Sequence, residues 1–151
     1  MSGILAALAL LFGMGSPEGD VPVEDLAVIV HPERLTEVTP GQLAQIYLKK
    51  RRFWPDGEQI VPVNRESESF EREIFNNVVF GSLAENLRVY WNRQYFLGVF
   101  PPATLATDDA IKEFVARERY AIGYIRASAV DDSVQVAMRL PADPTGPAAT
   151  H

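Results

Sequence analysis

The residues most able to do chemistry lie in a short polar turn between two apolar segments. Arg65, Ser67 and Ser69 follow an apolar run at 59–63 and precede a helical pattern. In α/β proteins such turns bind oxyanions, because free backbone N–H groups and the positive end of a helix dipole face the ligand. Hydroxyl and guanidinium groups add further hydrogen bonds. The pattern therefore predicts an oxyanion site, with the backbone amides of residues 69–71 also facing the ligand.

The segments that position this turn are predicted to be a strand and a helix. Residues 59–63, Gln-Ile-Val-Pro-Val, form a short apolar run that is typical of a buried strand. The apolar side chains that recur at helical spacing after the turn are Phe70, Ile74, Phe75 and Val78. They predict a helix over about residues 69–80.

Strand and helix patterns alternate along the rest of the core. Further strands are predicted at 26–30, 121–125 and 134–138. Helices are predicted to begin at Thr39, in a capping box at 82–85, and at Thr107 or Asp108. Their predicted apolar stripes are Leu43, Ile46 and Tyr47; Leu83, Leu87, Tyr90 and Trp91; and Ile111, Phe114 and Val115. This alternation indicates an α/β domain with a mostly parallel sheet flanked by helices.

Composition narrows the class of protein. The 151 residues are 47% hydrophobic, which is enough for one domain with a core. The net charge of −6 argues against a general binder of nucleic acid or of anionic membranes, since both need a basic surface. The chain has no cysteine, and it has no nucleophile motif, phosphate-binding loop or metal-ligand spacing. The sequence therefore predicts a binding protein without a cofactor or metal, and not an enzyme.

The two ends of the chain differ from the core at 23–140. Residues 4–14 are an apolar run of signal-peptide length, although no Lys or Arg precedes it. We predict a weak or truncated leader over 1–20, cleaved between Gly13 and Asp20, and hence a periplasmic or secreted protein; a buried first helix is the alternative. Residues 141–151 are rich in Pro and Ala and predict a disordered tail.

Several segments occur in the same order as in the phosphate-binding proteins of phosphate ABC transporters. They are Gln45-Ile46-Tyr47-Leu48, Trp54-Pro55-Asp56-Gly57, the turn after Arg65, Tyr90-Trp91-Asn92-Arg93 and Ala121-Ile122-Gly123-Tyr124. The core resembles the short, single-domain members of that superfamily. The resemblance implies a type II periplasmic-binding-protein-like fold and an extracytoplasmic solute-binding role. Phosphate would be the first ligand to consider, and an ABC permease or another envelope protein the partner.

The turn departs from the pattern of the full-length phosphate binders. There it carries two glycines, which let the backbone approach a phosphate closely. Here Glu66-Ser67-Glu68-Ser69-Phe70 contains no glycine, and Glu68 adds a negative charge. The resemblance implies that Arg65, Ser67 and Ser69 contact the ligand. The alternative is a degenerate binding domain, retained as a protein-interaction or sensor module without a ligand.

Three further polar features each allow two interpretations. His31 follows the strand at 26–30 and is either a fourth oxyanion ligand or a hydrogen-bonded loop histidine. Residues 107–109 (Thr-Asp-Asp) are either a third ligand loop or a helix start with acids favoured by the dipole; we favour the helix start. The basic run at 49–52 is a patch for an acidic partner or nucleic acid, or the solvated end of a helix.

Overall fold

The computed structural model describes residues 23–143, and within them five strands and four α-helices form an α/β domain. The strands are β1 (Leu26–Val30), β2 (Val61–Arg65), β3 (Ala103–Leu105), β4 (Ala121–Arg126) and β5 (Gln135–Leu140). The helices are α1 (Pro40–Tyr47), α2 (Phe70–Phe80), α3 (Leu87–Phe96) and α4 (Asp108–Arg117), with a 3-10 segment (Gly81–Asn86) before α3 and another (Ala127–Ala129) after β4. The predicted fold class is confirmed. The predicted leader and residues 144–151 of the predicted tail lie outside the described residues.

One strand departs from the common direction of the predicted, mostly parallel sheet. The strand order is β3-β2-β4-β1-β5, and β2 runs parallel to both β3 and β4. Strand β1 runs antiparallel to both of its neighbours, so the sheet is mixed. The five apolar residues of β1 are fully buried, as predicted. A continuous apolar run indicates burial on both faces of a sheet, but it carries no information on strand direction.

Helices cover both faces of the sheet. On one face α1 contributes Leu43, Ile46 and Tyr47 to the core, as its stripe predicts, and α2 contributes Phe75. On the other face α4 packs Ile111 and other apolar side chains against β4. That helix lies close to the sheet, because a Cβ atom at Gly123 would be 2.7 Å from Cγ2 of Ile111. The domain therefore has a helix–sheet–helix arrangement.

Local signals place the starts of two helices correctly. Thr39 accepts a hydrogen bond from the amide of Gln42, and the Gln42 side chain accepts one from the amide of Thr39. Thr107 accepts a hydrogen bond from the amide of Ala110 and caps α4. The predicted turn at 54–57 also forms, with Gly57 at φ 89°.

The region between α2 and β4 differs most from its prediction. The capping box predicted at 82–85 lies inside the 3-10 segment, and Asn86 precedes α3 without a side-chain cap. The predicted apolar face of this segment is confirmed in part, because Leu87 and Tyr90 are half-buried and pack against the core, whereas Leu83 is 57% exposed. Phe70, the first residue of the α2 stripe, is likewise 57% exposed. No helix within residues 23–143 is both long and apolar enough to cross a membrane.

Strands β2 and β4 pair only near their starts, where Val61 and Pro62 lie against Ala121 and Ile122. Farther along, the Tyr47 hydroxyl donates to the carbonyl oxygens of Val63 (2.9 Å) and Ile122 (3.3 Å). Side chains thus replace direct strand pairing toward the carboxyl ends of β2 and β4. In α/β sheets this edge is where ligands usually bind.

Candidate functional site

Arg65 is the last residue of β2 and is buried, whereas the sequence places it in the turn. Its Nη1 group donates to Oδ1 of Asp108, and its Nη2 group donates to the carbonyl oxygen of Ala106 at 3.0 Å. Oε2 of Glu71 lies 3.5 Å from Nη2. Only 7% of the Arg65 side chain is exposed, so these acceptors replace the hydrogen bonds that water would otherwise make to the guanidinium group.

Arg126 at the end of β4 shares the same carboxylate. Its Nε atom donates to Oδ2 of Asp108 at 2.6 Å and lies 3.7 Å from Oε1 of Glu71. The hydrogen bond to Asp108 raises the pKa of Arg126. Unlike Arg65, the Arg126 side chain is 54% exposed, so part of its guanidinium group faces water. We call Arg65, Arg126, Asp108 and Glu71 the carboxyl-end cluster.

The carboxyl-end cluster lies where α2 and α4 begin. Asp108 is the first residue of α4 and Glu71 is the second residue of α2. The first backbone N–H groups of a helix lack intrahelical acceptors and carry the positive end of its dipole. Two helix starts, two arginines and two carboxylates thus meet at one edge of the sheet. This environment favours a bound anion, but the carboxylates of the cluster already supply two negative charges.

One donor in the cluster has no partner. The Nε atom of Arg65 is buried, and no described group accepts a hydrogen bond from it. Leaving a buried donor unpaired costs about 1–3 kcal/mol, so such an atom indicates a place for an acceptor.

A buried polar layer under the cluster fixes the end of β2. The Tyr124 hydroxyl donates to Oδ1 of Asn64, and the amide of Arg65 donates to the same oxygen at 3.0 Å. Phe75 of α2 stacks on the Tyr124 ring with a centroid distance of 4.0 Å. Burial raises the pKa of the Tyr124 hydroxyl, which therefore remains a donor at neutral pH.

The predicted serines lie in the turn beside the cluster. Ser69 caps α2, where its hydroxyl oxygen accepts a hydrogen bond from the amide of Arg72 at 3.2 Å. Ser67 is exposed and donates to Oε1 of Glu68 at 2.8 Å. This hydrogen bond lowers the pKa of Glu68, which is fully solvent-exposed. The structure therefore brings the turn next to Arg65, with both hydroxyl groups engaged inside the turn.

His31 does not join the other predicted ligands. It follows Val30, which pairs with Ile122, and Ile122 in turn pairs with Pro62 near the start of β2. Arg65 is at the other end of β2, roughly 13 Å away along the strand direction. The antiparallel direction of β1 explains this separation. His31 Nδ1 accepts a hydrogen bond from the Glu33 amide at 3.2 Å, as expected for a loop histidine.

Sequence reasoning missed three members of the cluster. For Asp108 the sequence favoured a helix start over a ligand loop, and the structure shows that Thr107 is the cap while Asp108 pairs with both arginines. Arg126 and Glu71 belong to no recognised sequence motif. A usable signal was the position of Arg126 directly after a buried strand, because parallel strands end at a common edge.

The fold is similar to those of solved substrate-binding proteins of phosphate transporters. A phosphate ABC transporter substrate-binding protein from Clostridium perfringens, solved with bound phosphate, is 27% identical; the match covers 76% of this chain and 45% of that protein, with a TM-score of 0.58. An ABC-type phosphate transport receptor from Vibrio cholerae is 22% identical over 76% of this chain and 46% of its own, with a TM-score of 0.59. PstS from Borrelia burgdorferi is 17% identical over 75% of this chain and 46% of its own, with a TM-score of 0.60.

These similarities confirm the predicted resemblance and the periplasmic-binding-protein-like fold. The chain spans less than half the length of each of these three proteins. No protein-family model matches the chain, and no curated protein matches it. The residues predicted to contact a ligand remain predictions.

Proposed function

We propose that the chain is an extracytoplasmic solute-binding domain that binds a small oxyanion, with phosphate as the leading ligand, at the carboxyl-end cluster. One observation carries the proposal: Arg65 and Arg126 converge on Asp108 where α2 and α4 begin, and the Nε atom of Arg65 is buried without an acceptor among residues 23–143. The similar protein from Clostridium perfringens, with its bound phosphate, supports the choice of ligand.

The carboxylates of the cluster favour an oxyanion that carries a proton. Inorganic phosphate keeps at least one proton at neutral pH, so it can donate a hydrogen bond to Asp108 or Glu71. Sulfate has no proton at that pH, and these carboxylates would repel it. Asp108 and Glu71 therefore favour the binding of phosphate over that of sulfate.

The other contacts come from groups that already face the cluster. The exposed part of Arg126 supplies charge-assisted hydrogen bonds, and the first amides of α2 supply neutral ones. Ser67 contributes its hydroxyl after releasing Glu68, and Ser69 holds the start of α2 in place. Glu68 faces water, so it opposes the ligand less than an inward carboxylate would.

Binding rather than catalysis fits the solved proteins of similar fold, which are transport proteins. We place the domain in the cell envelope on the predicted leader. An ABC permease or another envelope protein is its proposed partner. This partner would cover the ligand at the carboxyl-end cluster, where the Arg126 side chain is 54% exposed.

Thermal unfolding in phosphate, sulfate and chloride at equal ionic strength tests this proposal. At 100 times the dissociation constant, phosphate should stabilise the domain by about 2.7 kcal/mol, whereas sulfate and chloride should not. Arg126→Gln should abolish the phosphate effect, and Arg139→Gln, at an exposed arginine on β5, should keep it. Glu71→Gln should allow sulfate to stabilise the domain. No stabilisation by millimolar phosphate would overturn the proposal.

A second function is favoured by the internal pairing of Arg65. Asp108, Glu71 and the Ala106 carbonyl group already occupy its two Nη groups. The cluster would then be the closed remnant of an anion site in a protein-interaction or sensor module. This reading predicts that no anion stabilises the wild-type domain, whereas Glu71→Gln alone makes it responsive to phosphate.

A further inference from the structure

A second cation-lined surface lies at the opposite end of β2 from the carboxyl-end cluster. A cavity of about 230 Å³ opens there. Its apolar lining includes Ile46 and Ile60, which are buried in the core, and Pro62 of β2. The lining also includes Lys49, Arg51 and Arg52 and the loop at 98–101. We call this surface the basic groove.

Within the described part of the chain, the cations of the basic groove have no carboxylate counterion. None of Lys49, Arg51 and Arg52 forms an ion pair with a carboxylate among the described residues, and no acidic residue lines the cavity. The molecule as a whole has a net charge of −6. A local excess of positive charge on an acidic protein is therefore concentrated at a concave, partly apolar site.

Lys49 has a backbone conformation that is unfavourable for its side chain. Its φ of 60° is the only positive value at a non-glycine position among the described residues. Such strain persists where the surroundings or a function require it. A lysine here is partly buried, and burial and the nearby Arg52 lower its pKa.

Exposed aromatic side chains extend the groove on the side of α3. Phe100 lines the cavity, is 58% exposed and packs edge-on against Tyr95 at 5.5 Å. Phe96 is 87% exposed and Leu97 is 70% exposed. Large exposed apolar side chains beside a cavity mark interaction surfaces, and aromatic residues with arginine are enriched in protein interfaces.

We propose that the basic groove binds an acidic segment of a protein partner, which places an apolar side chain in the cavity and its carboxylates on Lys49, Arg51 and Arg52. The positive charge of the groove favours a negatively charged partner, and the aromatic neighbours favour a peptide that also carries apolar side chains. The cavity favours a peptide over an anionic membrane, because a lipid surface cannot enter a concave site, whereas a side chain can.

Fluorescence anisotropy of the full chain with a short labelled peptide tests the proposal. The peptide has glutamate and aspartate residues around one central phenylalanine. Lys49→Gly and Arg51→Gln should each weaken its binding by about fivefold. The matched control is Lys50→Gln, since Lys50 belongs to the same run but lies over the Tyr90 ring, 5.8 Å from its centroid, and does not line the cavity. This variant should bind nearly as well as wild type.

Three results would overturn the proposal. The first is no binding of the peptide to the wild-type chain. The second is an equal loss of binding in Lys50→Gln and Lys49→Gly, which would indicate a diffuse charge effect. The third is equal binding when serine replaces the phenylalanine of the peptide, which would leave the cavity without a role. Binding to phosphatidylglycerol vesicles but not to the peptide would assign the surface to a membrane instead.

Discussion

Cationic side chains lie at both ends of β2, but only those at the carboxyl end form ion pairs with described carboxylates. At the carboxyl end, Arg65 is buried against Asp108 and beside Glu71. At the amino end, Lys49 and Arg51 have no described carboxylate as a partner. Burial explains why Arg65 is paired, because a buried guanidinium group needs a counterion, whereas water stabilises a cation that it can reach.

This contrast separates groups that hold the fold from groups that remain free for a partner. A paired, buried arginine fixes the positions of its neighbours, and removing the arginine or its counterion lowers the free energy of unfolding. An unpaired cation contributes little to folding, and at a strained position it opposes folding. Substitutions at the two ends of β2 should therefore differ in size and even in sign.

The largest expected effect is at Asp108. Asp108→Asn leaves the buried Arg65 and its neighbour Arg126 with less negative charge, so we expect the free energy of unfolding to fall by about 3 kcal/mol. Urea denaturation measures the change. Asp109→Asn is the matched control, because the side chain of Asp109 is 87% exposed. Similar losses in the two variants would show that helix-dipole effects, not the ion pairs of Asp108, explain the result.

Alkaline pH should weaken the carboxyl end through Tyr124. Burial raises the pKa of its hydroxyl group, so the folded protein keeps this proton after the unfolded chain begins to release it near pH 10. The stabilisation is complete below that pH and falls by about 1.4 kcal/mol per pH unit above it, until the folded pKa is reached.

Chemical denaturation across this pH range in wild type and Tyr124→Phe measures the contribution. The wild-type free energy of unfolding should fall more steeply than that of Tyr124→Phe, and Tyr95→Phe, at a 62% exposed tyrosine, should keep the wild-type slope. The pKa of Lys49, at the amino end of β2, is lowered instead, so the contribution of Lys49 to the free energy of unfolding should rise with pH. Identical slopes in wild type and Tyr124→Phe would contradict the assignment.

Lys49→Gly should stabilise the domain, in contrast to every substitution at the carboxyl-end cluster. Glycine adopts a φ of 60° without the steric cost of a Cβ atom, and the gain should be about 1 kcal/mol. Lys49→Ala removes the same charge but keeps the strain, so it should show no such gain. A loss of stability in Lys49→Gly would mean that the lysine side chain supports the fold.

The smallest expected effect is at Arg51. Because Arg51 has no ion pair among the described residues, Arg51→Gln should change the free energy of unfolding by less than about 0.5 kcal/mol. The same variant is expected to lose affinity for the acidic peptide. A substantial loss of stability would show that the basic groove is part of the structural core.

Local features of this fold could be predicted from the sequence, because their causes are local. The capping box of Thr39 and Gln42 needs only four consecutive residues, and it forms as predicted. Thr107 caps α4 for the same reason. The apolar runs predicted β1, β2, β4 and β5 to within about two residues, since a buried strand requires apolar side chains on both faces, but they did not predict β3, whose residues are mostly exposed.

Features that depend on strand direction or on distant partners could not be predicted. The antiparallel course of β1 moved His31 away from Arg65. The pairing of Arg65 with Asp108 joins residues 43 positions apart, and no local pattern encodes it. The capping box predicted at 82–85 shows that a local signal can also mislead, because the chain there continues in a 3-10 segment.

Helix α3 has a consequence for the way in which the domain opens. It lies between Gly81 and Gly98, which both have positive φ, and none of its side chains is fully buried. Segments with few buried apolar contacts unfold locally at low free energy, whereas β1, which is buried between two strands, opens only with the whole domain. In hydrogen-exchange terms the amides of α3 should exchange first and those of β1 last. A partner that binds the aromatic side of the basic groove would then be detected as slower exchange in α3.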